Sequence, residues 1–157
     1  MEIKTLLSEA KVQIGVTCIG LETKTARIKY GIGSSISDIL GWDVTIRGED
    51  GVCYKYYTAQ PPLIGCTHAE PCACPLGIAP FDGYEIDIEE AIDIFHTQNG
   101  GDKFTQVSLA WPLTYPHTPE PYWYFRTNLG GTVVIGANSG KINGFPVNRL
   151  LYMAPMS

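Results

Sequence analysis

The last third of this chain, residues 87–142, has a residue pattern that few folds can satisfy. It opens with apolar residues that recur at the period of an α-helix, and Asp87 stands where it can cap that helix. Three segments with strand-like alternation follow, and Gly130-Gly131 between the last two suits a hairpin turn. The pattern predicts one helix packed on an antiparallel sheet, an architecture found in modules that bind peptides or inhibit proteins.

The predicted helix covers residues 87–98 and carries one apolar stripe. Glu90 can reach back to complete a capping box, and Asn99-Gly100 ends the helix. The stripe consists of Ile88, Ala91, Ile92 and Phe95. A last strand is predicted over residues 145–153.

The first half of the chain follows a similar order. Residues 2–12 predict an amphipathic helix with Ile3, Leu6, Leu7 and Ala10 on one face. Residues 24–30 alternate as a half-buried strand does, and residues 42–58 predict a hairpin around Asp50-Gly51. Duplication of one unit would explain this order, and so would the frequency of a helix followed by a meander.

We therefore expect an α+β fold, with helices packed on an antiparallel β-sheet and with two repeated helix-plus-meander units as one form of it. Residues 1–59 would form an N-terminal α+β unit and residues 86–157 a second one. Between them, residues 60–85 predict a Cys- and Pro-rich loop or linker, because regular elements do not run through five prolines between positions 60 and 81.

The second unit resembles a PepSY domain. The likeness lies in the acidic helix start at 86–91, the Gly-Asp-Lys-Phe segment at 101–104, the aromatic strand at 122–127 and the close at 133–142, which contains Ser-Gly-Lys. Gly136 stands where the family usually has an Asp. The resemblance implies a non-catalytic module that binds or inhibits peptidases, with no catalytic residues to carry over. The first unit would match the family only as a divergent repeat.

Composition excludes some functions. The formal charge of −5 and the scattered basic residues argue against binding nucleic acid, which needs clustered Lys and Arg. No stretch is apolar for the eighteen or more residues that a membrane helix needs, so the sequence predicts no membrane span. The first residues lack the pattern of a signal peptide, so the compartment stays open, and an envelope or extracellular location follows if a signal was trimmed.

The segment 66–74 is dense in metal-type ligands. Cys66, His68, Cys72 and Cys74 lie within nine residues, and zinc favours Cys and His ligands, although Cys72-Ala-Cys74 is closer than the usual knuckle spacing. Disulfides and free thiols explain the same residues. Cys53 could supply a further ligand or a disulfide partner, and the fifth cysteine, Cys18, is expected to be unpaired and buried.

The aromatic strand supplies the candidate binding residues. In Tyr122, Trp123, Tyr124 and Phe125 alternate side chains point to opposite faces, so one pair should be core and the other an exposed recognition surface or a face covered by another element or subunit. No segment shows a complete catalytic constellation.

The sequence thus predicts a non-catalytic module for a protein or peptide partner, of which a peptidase is one, without a cofactor. One alternative is a small zinc-binding or redox-responsive protein that uses the 66–74 loop. Another is a structural domain that self-associates as a homo-oligomer.

Overall fold

The computed structural model describes residues 3–100, 102–114 and 117–143. In this part of the chain, strands account for 41% of the residues and helices for 19%, so the protein is mainly β. In chain order the elements are α1 (Ile3–Ile14), β1 (Cys18–Ile28), β2 (Ile39–Gly48), β3 (Cys53–Ala59), β4 (Glu70–Cys72), β5 (Ile78–Ala79), α2 (Ile88–Phe95), β6 (Phe104–Pro112), β7 (Tyr122–Thr127) and β8 (Thr132–Gly136).

The strands build one antiparallel sheet that runs across the whole molecule. Its order is β4-β3-β2-β1-β6-β7-β8, and β5 pairs with β6 off this path. The sequence halves meet at the sheet centre, where Thr23, Lys24 and Thr25 of β1 pair with residues of β6. Close to this junction the short segment ending in Phe81 exchanges two backbone hydrogen bonds with Leu21.

Both helices pack on the same face of the sheet. Residues paired directly across an antiparallel ladder point to one face, so the register defines a core row that continues from β3 to β8. That row contains Tyr56, Val44, Lys24, Leu109, Trp123 and Ile135. The apolar stripes of α1 and α2 join the same core cluster, so that one core serves the entire sheet.

Both edges of the sheet are covered or blunted. At one end, β4 contains Pro71, which has no N–H to offer an added strand. At the other end, Ile142 bridges to Ile135 of β8, and the Asn143 N–H donates to the Val134 carbonyl at 2.8 Å. Short strands, prolines and covering segments are the usual ways to keep a sheet edge from pairing with another chain.

The predicted α+β fold class is wrong. α1 precedes five strands and α2 precedes three, but all of them join one eight-stranded sheet that dominates the fold. The described chain has only two short α-helices, and they pack on this single sheet and not on separate repeated units. The prediction underestimated the strands. β1 begins at Cys18 and not at residue 24, while the segment predicted as a linker contributes β4 and β5. The division into residues 1–59, 60–85 and 86–157 stays a prediction.

The stripe of α2 is confirmed in full and that of α1 at three of its four positions, with Leu7 half-buried. The buried residues of α2 are Ile88, Ala91, Ile92 and Phe95, and Asp87 caps the helix by accepting from the Ile88 N–H at 2.9 Å. Ile3, Leu6 and Ala10 are buried in α1. The strand predicted over residues 145–153 lies outside the described residues.

Candidate functional site

The aromatic strand β7 divides its four predicted binding residues between two faces. Trp123 and Phe125 are fully buried, whereas Tyr122 and Tyr124 are half-buried on the face that carries no helix. The Trp123 indole donates to the Ile86 carbonyl at 2.7 Å, so its polar end is used inside the protein. Only the two tyrosines can meet a partner while the core stays intact.

The face opposite the helices has a floor of small side chains between tyrosines, and we call it the open face. One row leads from Tyr124 to Tyr57, with short side chains at its centre. The next row starts at Tyr122 and ends on Lys55. The floor between these ends is formed by Thr23, Thr25, Asp43, Thr45, Ser108 and Ala110.

Tyr122 and Tyr124 form one aromatic unit on this face. Their ring centroids are 6.2 Å apart and the rings are nearly perpendicular, at 75°. Burial and the neighbouring Tyr122 raise the pKa of Tyr124 to about 12, and burial followed by Glu120 raises the pKa of Tyr122. Both phenols are therefore neutral at physiological pH and can donate a hydrogen bond.

A charged cluster stands at the far side of the open face. The Arg27 guanidinium donates to both carboxylate oxygens of Asp43, at 2.7 and 2.9 Å, and lies 4.4 Å from the centre of the Tyr57 ring. The sequence reasoning did not single out these three residues as a site. The signal was the alternation of β1, which places Arg27 on the face opposite Ile28.

Glu120 holds the turn that follows β8. Its buried carboxylate accepts from the N–H groups of Asn138 and Ser139 at 2.8 and 2.7 Å, and from the Ser139 hydroxyl at 2.8 Å. Burial raises the pKa of Glu120, but these hydrogen bonds and Lys141 outweigh it and leave the pKa lowered overall. A side chain at Gly136 would collide with this carboxylate.

The four candidate metal ligands are not brought together. Cys74 forms a disulfide with Cys53, and Cys66 lies at a separate bridge to Thr58, where its sulfur accepts from Gln13 Nε2 at 3.6 Å. His68 is exposed. Across the described ranges, no group of three or more His, Cys, Asp or Glu side chains is arranged to hold a metal ion.

Cys72 is the third cysteine beside this disulfide. It is a half-buried free thiol in β4, directly across the ladder from Cys53. Burial raises the pKa of the Cys72 thiol, and Lys55 opposes that shift. Cys18 is also free and half-buried.

Besides Glu120, two charged side chains are buried in the described chain: Glu22, whose carboxylate accepts from Arg47 Nε at 2.6 Å, and Lys24. The Lys24 ammonium is 4.4 Å from the centre of the Trp42 ring and 5.4 Å from that of Trp123, and it donates to the Tyr84 hydroxyl at 3.2 Å. Burial lowers the pKa of Lys24 to about 8, although Asp87 opposes the shift. On the outer side of Tyr84, a cavity of about 520 Å³ is lined by Ile3, Lys4, Asp82, Gly83, Tyr84, Glu85 and Asp87.

The described parts of the chain contain no helix of the length and apolarity needed to cross a membrane. Comparison of the chain with family models, with curated proteins and with solved structures finds no match.

Proposed function

We propose that this protein is a non-catalytic module that binds a peptide or a protein segment on the open face of its sheet. The observation that carries the proposal is the placement of both helices on the other face. A sheet face without a covering layer is expected to be polar, as the small hydroxyl residues here are, and it does not need exposed aromatic rings for solubility. The partly exposed rings of Tyr122 and Tyr124 are therefore the feature of this face that indicates a binding surface.

The dimensions of the open face suit a bound segment. Tyr57 on β3 and Tyr124 on β7 are separated by four strand spacings, or about 19 Å at the usual spacing. Tyr57 lies over Gly41 with the Arg27 guanidinium against its ring, so this group bounds the floor on one side and the two tyrosines of β7 bound it on the other. The side chains between them are short, and an extended peptide, which is narrower than an α-helix of about 10–12 Å with its side chains, could lie on this floor.

The face is a better binding surface than the edges. Strand addition needs a row of unpaired backbone groups, and β8 is already paired through Ile142 while Pro71 interrupts β4. Tyrosine is enriched at protein interfaces because its ring supplies apolar area and its hydroxyl supplies one hydrogen bond. Recognition would thus combine ring contacts at Tyr122 and Tyr124 with hydrogen bonds to the floor.

The class of partner comes from the PepSY resemblance of residues 86–142. That resemblance implies a peptidase as partner and inhibition as the outcome. The open face could do this sterically, since a bound peptidase segment would be held away from substrate. No residue of this chain would take part in a chemical step.

Paired variants test the proposal. One protein carries Tyr122→Ser and Tyr124→Ser, and the matched control carries Tyr30→Ser, which removes a tyrosine that is 90% exposed in the turn after β1. The wild type is used to select ligands from a random peptide library and is assayed against secreted metallopeptidases. The double variant should keep its circular dichroism spectrum and bind at least about tenfold more weakly, because buried aromatic anchors carry most interface energy.

Two results would overturn this function. The first is unchanged affinity of the folded double variant for every selected ligand, with unchanged inhibition of any peptidase that the wild type blocks. The second is failure of the wild type to bind or inhibit anything, together with a concentration-dependent dimer that the double variant abolishes. The latter would identify the open face as a self-association surface.

A further inference from the structure

We propose that Cys53, Cys72 and Cys74 form a thiol–disulfide exchange centre, in which Cys72 displaces Cys74 from Cys53 and leaves Cys74 open to a low-molecular-weight disulfide. This is independent of the binding function, because the three cysteines lie at the β3–β4 end of the sheet. Three cysteines at one place allow two alternative bridges to Cys53. The structure contains one of them.

The strand register makes the second bridge possible. Pro71 pairs with Tyr54 and has no N–H, so their pair cannot be one that exchanges two hydrogen bonds across the ladder. Its neighbouring pair, Cys53 and Cys72, is therefore the hydrogen-bonded one, for which the Cα atoms are about 5.5 Å apart. A disulfide accepts Cα separations of about 4.4–6.8 Å. Cys53 and Cys74 are at 5.1 Å, so both partners are within reach of Cys53.

The exchange requires no oxidant. Cys72 loses its proton to water and its sulfur attacks the Cys53 sulfur, a new Cys53–Cys72 bond forms, and the Cys53–Cys74 bond breaks. Cys74 leaves as a thiolate, which takes up a proton, so the number of thiols and disulfides is unchanged. Because Cys53 is completely buried, it stays the fixed member of both bridges.

The exchange would release Cys74 and the segment that follows it. Cys72 lies within β4, but Cys74 lies beyond its end and is followed by Pro75, so a bridge to Cys72 would leave the segment after β4 untethered. The free Cys74 thiol can then attack a low-molecular-weight disulfide. That step forms a mixed disulfide on Cys74 and releases one small thiol, so its electrons also balance.

Oxidised glutathione serves as the probe. Wild type, Cys72→Ser and the matched control Cys66→Ser are incubated with it in the folded state, quenched with acid, alkylated with N-ethylmaleimide and digested without reduction. Mass spectrometry should find glutathione on Cys74 together with a Cys53–Cys72 bridge in the wild type and in Cys66→Ser. In Cys72→Ser the Cys74 adduct should fall at least about tenfold, since nothing displaces Cys74.

A Cys74→Ser variant gives a second test, in which the folded, oxidised protein should contain the Cys53–Cys72 bridge. The proposal is overturned if Cys74 is modified equally in the wild type and in Cys72→Ser. Modification of Cys72 alone, with the Cys53–Cys74 bridge intact, would also overturn it. Should Cys74→Ser fail to fold, the adduct map of the wild type and Cys72→Ser decides the matter.

Discussion

Lys24 shows most clearly how a single residue can depart from the pattern around it. It occupies a core position on the central strand, and its ammonium lies among the rings of Trp42, Tyr84 and Trp123. Aromatic faces attract cations by about 2 kcal/mol or more when desolvated, but this does not offset the cost of burying the charge. The lowered pKa reflects that imbalance.

Replacement of Lys24 by Met should therefore remove a pH dependence of stability. The pKa of Lys24 is about 8 in the folded protein and 10.5 in the unfolded chain. Between these pH values the unfolded chain binds more protons, so the wild type becomes more stable as the pH rises. From pH 7.5 to 9.5 the gain should be about 2 kcal/mol, and Lys24→Met should lack it. Urea unfolding at the two pH values measures the difference, and parallel behaviour of the two proteins would contradict it.

The sequence did not predict that Lys24 is buried. Alternation over residues 24–30 predicted one half-buried face with Ala26, Ile28 and Tyr30, and Lys24 shares their parity. The same alternation was wrong for Tyr30, which is exposed because the chain leaves the strand there with a positive φ of 59°. The aromatic rings around Lys24 come from three distant segments, so no local pattern could have revealed them.

At the scale of elements, α2 and β7 were the most predictable, because each has a strong apolar period of its own. The fully buried Phe95 of α2 stacks on Phe125 of β7 with 4.9 Å between ring centres, and Phe104 meets both rings edge-on. This contact fixes the helix on the core face. It also leaves the other residues of β7 for the open face.

Truncation of this contact should be costly. Phe95→Ala should lower the free energy of unfolding by about 3–5 kcal/mol, because it leaves a cavity among rings that cannot close over it. The control Val12→Ala, at an apolar but 87% exposed position of α1, should change it by less than about 0.5 kcal/mol. Denaturant melts give both values, and a loss under about 1 kcal/mol for Phe95→Ala would mean that the helix does not depend on this ring.

The strands between residues 60 and 85 were not predicted from the sequence. β4 and β5 have three and two residues, and they are defined by their pairing with β3 and β6 and not by any period of their own. The composition of this segment is that of a loop. The sequence named Cys53 as a possible disulfide partner, but it could not show that Cys53 pairs with Cys74 and that Cys72 faces Cys53.

At the scale of the whole molecule, the two sequence halves share one core. The rings of Trp42 and Trp123 are 5.8 Å apart, and β1 pairs with β6 between them. The strands of each half could be predicted from the sequence, but no local pattern indicates that β1 pairs with β6. That pairing joins positions more than eighty residues apart.

A shared core predicts one cooperative unfolding transition. Tryptophan fluorescence and far-UV circular dichroism should give coincident denaturation curves. Val44→Ala in the first half and Val107→Ala in the second, both at buried core positions, should each lower the free energy of unfolding by roughly 0.5–3 kcal/mol and so shift that single curve to lower denaturant. Two separate steps, with each variant moving only one of them, would contradict a shared core.

The closed edges of the sheet also have a consequence for stoichiometry. A bare strand edge is open-ended, because every strand that joins it presents a new edge to the next copy. Here Pro71 at one end and Ile142 at the other interrupt that growth. A ligand bound on the open face does not present a new open face to the next copy, so we expect binding to saturate at one partner for each molecule. For the same reason we expect the protein to resist fibre formation.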